Sequence, residues 1–229
     1  VDLKARLADV DARIVDAARS AGRDPSELTR IVVTKFHPAS LIAELRALGV
    51  RDVGENRQQE LTAKRGDPAV AALGLRWHFI GQGQTNKVRA IRAAADVVHS
   101  VDRARLADAL DRAGDEGAPV LDVLLQVNLT ADPGRGGVAP DGVEQLAAHV
   151  AASCPTLRVR GVMGVAPLDE EPAAAFARLA ATGESVRRVV PDARWISAGM
   201  TGDFAEAIAA GATHLRIGSA ITGPRPVHG

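Results

Sequence analysis

The sequence predicts an α/β fold, a (β/α)8 TIM barrel with an extra helix at its N-terminus. Three observations carry this. Apolar runs of strand length alternate with segments of helical spacing from one end of the chain to the other, which implies a parallel sheet with helices outside it. There are eight such runs. The length of 229 residues suits a closed barrel of eight βα units. A doubly wound open sheet is the second architecture that the pattern admits.

The elements follow in order. The opening stretch VDLKARLADVDARIVDAARSAG is amphipathic, with acids and bases throughout. It predicts the extra helix and lacks the apolar centre of a signal peptide. The predicted strands are RIVVTK (30–35), RDVGE (51–55), RWHFIG (76–81), DVVHSV (96–101), VLDVLLQVNL (120–129), LRVRGVMGV (157–165), RWISAG (194–199) and THLRIGS (213–219). Among the helices, Leu41, Ile42, Leu45 and Leu48 share a face and stop at Gly49. Another starts at Asp102 as N-cap and stops at Gly114. A third starts near Thr201 and stops at Gly211. The stretch after the eighth strand is short. Residues 130–140 form one Gly/Pro-rich loop, and no low-complexity linker divides the chain, so residues 1–229 read as one domain.

Composition narrows the function. Lys+Arg and Asp+Glu are both 28, which argues against nucleic-acid binding by bulk charge and against a polybasic membrane patch. The single cysteine, Cys154, permits no intrachain disulfide and suits a reducing, cytoplasmic setting. No apolar run is long enough to span a bilayer. There is no tyrosine, and the only lysines are Lys4, Lys35, Lys64 and Lys87.

In such a barrel the chemistry sits at the C-terminal ends of the strands. The first strand reaches Lys35 there, with two readings: a strand-end lysine marking the edge of the core, or an amine placed to attack a carbonyl. The loops after strands 7 and 8 bring Ser197, Gly199 and Thr201 together with Gly218 and Ser219, small and hydroxyl residues that suit an oxyanion at the usual phosphate position. Thr201 also reads as a plain N-cap. Arg216 shares a strand face with Gly218, so it either points into this site or forms an ion pair within the barrel. An amine beside a phosphate site suggests a phosphorylated aldehyde held as a Schiff base, either pyridoxal phosphate or a sugar phosphate. Lys4 and Lys64 lie in polar helical contexts, and Lys87 at a helix start. GQGQTNK lacks the P-loop spacing. Histidines 37, 78, 99, 149, 214 and 228 show no ligand pair at helical spacing, so no metal site is expected. His78 and His99 read as satisfied structural histidines, and nothing marks Cys154 as a nucleophile.

The segments VVTKFHPAS, VGENRQQE, WHFIGQGQTNK, HSVD, LRVRGVMGV and SAGMTGDFAEAIAAGATHLRIGSAITGPR, in this order and over nearly the whole chain, resemble the pyridoxal-phosphate homeostasis proteins of the YggS/PROSC type. The resemblance implies a barrel like the N-terminal domain of alanine racemase (fold-type III) and pyridoxal 5′-phosphate held as an internal aldimine on Lys35. It further implies phosphate contacts from Ser197, Gly218 and Ser219, Arg216 near the pyridine nitrogen, and Asn56 lining the cofactor. Gly83, His37 and Thr222 depart from the family pattern, which more often has leucine, lysine and an aromatic residue there. Alanine racemases use a tyrosine as second base and carry a further domain, and this chain has no tyrosine.

The expectation is therefore a monomeric, cytoplasmic protein that stores, buffers or delivers pyridoxal phosphate, with apoenzymes as recipients. A racemase-like enzyme and a Schiff-base aldolase are the alternatives.

Overall fold

A computed structural model describes residues 2–114 and 117–226; His228 lies outside them. Eight parallel strands close into a barrel in chain order. Helix α1 (Leu3–Ser20) precedes the first strand. The repeating units are β1 (Thr29–Val33) with α2 (Ala39–Ala47), β2 (Asp52–Glu55) with α3 (Gln58–Arg65), β3 (Arg76–Phe79) with α4 (Val88–Ala94), and β4 (Val97–Val101) with α5 (Ala104–Arg112). The second half holds β5 (Leu121–Gln126) with α6 (Val143–Ser153), β6 (Leu157–Met163) with α7 (Pro172–Val189), β7 (Trp195–Ser197) with α8 (Phe204–Ala209), and β8 (His214–Ile217) with the one-turn α9 (Ser219–Thr222). Val32 stands opposite Val53 of β2 on one side and Ile217 of β8 on the other, so the ring is closed and the open sheet is excluded.

Alternation along each strand separates two interiors. Val32, Val53, Phe79, Val98, Val123, Val162, Leu215 and Ile217 face outward and join helix residues such as Ile42, Leu45, Leu61 and Leu179 in the main core. Inside the ring a small apolar cluster of Val97, Leu124 and Met163 packs against Trp195. Polar groups share the ring interior with them: His78, His99, Ser197, His214 and Arg216 are all buried. Arg76 and Arg160 lie 5.0 and 4.3 Å from the Trp195 ring, and His214 packs 4.3 Å from it. No described helix is long and apolar enough to cross a membrane.

All eight predicted strands form, but most stop early at their C-terminal ends. β1 ends at Val33, not Lys35, and β8 at Ile217, not Ser219. Beyond those ends the chain leaves the ladder: Lys35 lies in a turn and Gly218 at the N-cap of α9. Three helix details also differ. Leu48 is the C-cap of α2 and is 36 % exposed, off the buried face of Ile42 and Leu45. Arg103, not Asp102, occupies the N-cap of α5, because the Asp102 carboxylate pairs with the Arg103 guanidinium. α8 begins at Phe204 behind Asp203, whose Oδ1 accepts the Met200 N–H at 2.6 Å. That bond closes a turn over residues 200–203 and leaves Thr201 within it, not capping.

Candidate functional site

Ile31 and Val33 lie outside the main core and face the ring interior; Lys35 lies in the turn beyond β1, at the mouth. It is exposed, and among the described residues no hydrogen-bond acceptor takes its amine. The chain then turns sharply. Phe36 is the one described non-glycine residue at positive φ, 69°, a conformation that costs a residue with a Cβ about 1–2 kcal/mol. Three contacts hold it there: its N–H donates to Glu60 Oε2 at 2.7 Å, and its ring lies 5.0 Å from the Arg57 and 4.1 Å from the Arg225 guanidinium. Backbone strain of this kind clusters at ligand clamps and switch regions.

Behind this turn lies a polar cluster that sequence reasoning missed. Thr34 and Glu55 face the helix layer, and Lys64 of α3 reaches them. Its three N–H donors go to Thr34 O at 2.8 Å, Glu55 Oε1 at 2.7 Å and Glu60 Oε2 at 3.1 Å. Thr34 Oγ1 donates to the same Glu55 oxygen at 2.6 Å. Burial pushes the Glu55 carboxyl up from its usual range, with Lys64 working against that shift. Burial also opposes the charge of Glu60, yet the Phe36 N–H and Lys64 hold that carboxyl below its usual range. Lys64 is thus no solvated helix lysine but the centre of a buried clamp under the Lys35 turn. The available signal was Glu60 and Lys64 at i, i+4, which says nothing of Thr34 or Glu55.

On β8, the strand next to β1, Arg216 donates to Ser197 Oγ at 2.6 Å and to the Gly164 carbonyl at 2.9 Å. Burial pulls its guanidinium down to about 10, with Asp203 acting the other way. Among the described residues no carboxylate pairs with it, so the ion-pair reading of Arg216 does not apply. Ser197 is fully buried, its oxygen shared between Arg216 and His99. The turn beyond it depends on Gly199: φ is 89°, and a Cβ there would lie 2.8 Å from that of Ala207. Among the described residues no acceptor takes the backbone N–H of Gly218 or Ser219, where α9 begins. Asn56 stands exposed just beyond β2, and Arg57, not Asn56, caps α3. Gly81 permits this crowding, since a Cβ there would lie 1.8 Å from Asn56 O.

The mouth therefore gathers Lys35, Asn56, Arg216, Gly218 and Ser219, with Thr201 in a neighbouring turn and Ser197 beneath. The departures have local reasons or none. A Cβ on Gly83 would meet Leu106 of α5 at 2.7 Å, and Thr222 is buried in α9; nothing in the structure explains His37.

Two features lie elsewhere. Asp108, His149 and Cys154 bring donor atoms within 4.8 Å of one another, a grouping invisible to histidine spacing because Asp108 comes from α5 and the others from α6 and its end. Its geometry is that of a His149–Asp108 hydrogen bond, 2.6 Å, with the Cys154 thiol beside it; burial pushes that thiol up to about 11. A cavity of about 520 Å³ opens at the opposite end of the barrel, among Arg65, Arg76, Arg89, Arg92 and Arg112. Asp96 and Asp122 neutralise two of its arginines, and it holds none of the mouth residues.

The fold and the mouth define the class, a barrel of the alanine racemase N-terminal type: residues 8–226 match the family model described as alanine racemase, N-terminal domain. The alanine racemase of Corynebacterium glutamicum shares the fold at a TM-score of 0.70 and 15 % identity, over 96 % of this chain and 62 % of that one. The chain belongs to the family of pyridoxal phosphate homeostasis proteins. It is 41 % identical to the protein of that name from Pseudomonas aeruginosa, over 96 % of this chain and 94 % of the relative. It is 38 % identical to that of Escherichia coli K12, over 98 % and 97 %. Among solved structures, PipY of Synechococcus elongatus PCC7942 with PLP bound superposes at a TM-score of 0.83 and 32 % identity, over 97 % of this chain and all of that one.

Proposed function

We propose that this chain binds pyridoxal 5′-phosphate at the barrel mouth and serves in intracellular pyridoxal phosphate homeostasis by storage, buffering or delivery, its residues 1–229 working as one domain. The observation that carries this reading is identity near 40 % to homeostasis proteins over nearly the full length of both partners.

The residues at the mouth fit the group. Arg216 is the test: a buried guanidinium with five N–H donors, of which two are placed on Ser197 and Gly164, leaving donors for an acceptor such as a ring nitrogen. Lys35 supplies the amine that holds the aldehyde. Gly218, Ser219 and Thr201 face the phosphate with N–H and hydroxyl donors, and Asn56 lines the opening. Ser197, its hydroxyl turned inward, contributes by holding Arg216 from below.

Bound pyridoxal phosphate supplies an electrophilic aldehyde and a ring that can withdraw electrons. A cation opposite the ring nitrogen disfavours its protonation, which weakens that withdrawal. The chain offers no tyrosine as a second base. Both features favour holding the cofactor over turning over amino acids.

The experiment is a titration of the purified protein with pyridoxal phosphate, followed by mixing with a cofactor-free aminotransferase. A saturable yellow band and restored aminotransferase activity are expected. No band, or fast exchange of amino-acid α-protons with deuterium, would contradict the holding role; the second result would favour a racemase-like enzyme.

A further inference from the structure

Barrel interiors are normally filled by layers of branched apolar side chains. Here a line of polar groups crosses the ring instead. His78 Nε2 lies 2.9 Å from Asp52 Oδ1, His78 Nδ1 lies 2.9 Å from His99 Nε2, and His99 Nδ1 lies 2.9 Å from Ser197 Oγ. Arg216 then donates to that oxygen at 2.6 Å. His78, His99 and Ser197 are fully buried, and each buried polar atom that lost its partner would carry a desolvation cost. The line starts at the first residue of β2, at the N-terminal end of the barrel, and finishes under the mouth.

Proton bookkeeping gives the line a direction. Burial opposes the charge of Asp52, but its bond to His78 and the nearby Arg76 hold the carboxyl below its usual range, so it is ionised. Burial depresses His78, drives His99 well down and takes the neighbouring His214 to about 3, so the rings are neutral. An ionised carboxylate only accepts, and a neutral imidazole has one donor and one acceptor. His78 must therefore donate from Nε2 to Asp52 and accept at Nδ1. His99 must donate from Nε2 and accept at Nδ1. The Ser197 proton goes to His99, and the lone pair left over accepts from Arg216. The reverse order would set two lone pairs against each other at Asp52.

We propose that Asp52, His78, His99 and Ser197 form a one-directional hydrogen-bond line that fixes Arg216 from inside the barrel, with His99 as its positioning residue. On the cofactor reading above, on which this consequence rests, the line sets how firmly Arg216 addresses the ring nitrogen of pyridoxal phosphate.

The test begins without cofactor. Nitrogen-15 spectra of the histidine rings at pH 7 should show His78 and His99 as neutral Nε2–H tautomers. An Nδ1–H form or a charged ring at His99 would overturn the proposal. In His99→Leu the Arg216 side-chain N–H signals, protected in the wild type, should broaden or exchange faster, and unchanged signals would overturn it. Should that variant fail to fold, Asp52→Leu, at the far end of the line, takes its place with the same expectation. On the loaded protein, His99→Leu should weaken pyridoxal phosphate binding about tenfold, the size of one lost hydrogen bond, and move the visible band. Wild-type affinity and spectrum in a folded variant would overturn the proposal. A wild type that gives no band sinks the cofactor reading alone, and the tautomers and Arg216 signals still decide the line.

Discussion

Lys35 and Lys64 sit on either side of one turn and could hardly differ more. Lys35 stands exposed at the mouth, its amine 5.9 Å from the Phe36 ring and without a hydrogen-bond partner among the described residues. Lys64, 9 % exposed, spends all three donors on Thr34, Glu55 and Glu60. Burial is often taken as the mark of a reactive lysine, because desolvation frees the neutral amine. This pair teaches the opposite lesson: a buried ammonium with every donor taken has no lone pair to offer, and it serves instead to shape the turn that presents its neighbour.

The comparison can be broken at either lysine. Lys35→Ala should abolish the visible band with pyridoxal phosphate while moving the urea midpoint little, since an exposed side chain is within about 0.5 kcal/mol of neutral. A band of wild-type strength in that variant would end the distinction. Lys64→Met should do the reverse. It leaves Glu55 and Glu60 without their shared cation, and stability should fall by about 3–5 kcal/mol, with the band kept in the folded fraction. Adding Glu55→Gln should recover part of this loss; simple additivity of the two changes would show that the groups do not act together.

A pH series sharpens the contrast between the mouth and the ring interior. His78, His99 and His214 are depressed by burial, so below about pH 6.5 the unfolded chain binds protons that the native one does not. Stability rises with pH through this window and is lost as pH falls, by about 1.4 kcal/mol per pH unit for each ring. Urea midpoints at pH 7, 6 and 5 check this, and equal midpoints would contradict it. The smallest expected effect is at Phe36. Phe36→Gly should be about 1 kcal/mol more stable than Phe36→Ala, because both lose the ring but only alanine keeps the φ strain; equal stabilities would mean the turn relaxes.

Much of this was legible in the sequence. The eight strands and the closed barrel follow from the alternation of strand and helix patterns, Lys35 was marked by its place at the end of the first strand, and Arg216 by sharing a strand face with Gly218. The strand ends were overrun because residues at the mouth look like strand and pair with nothing. The caps at Asp102 and Thr201 failed where a neighbour, Arg103 or Met200, competed for the same side chain or turn. The Lys64 clamp and the histidine line were out of reach for a single reason: their partners come from different strands and helices, and only closure of the ring brings Asp52, His99 and Ser197 into register.

The most direct measurement is borohydride reduction of the protein loaded with pyridoxal phosphate, followed by peptide mapping. The account predicts one pyridoxyl group, on Lys35, and none on Lys64. A label on Lys64, or one spread over Lys4, Lys64 and Lys87, would contradict it.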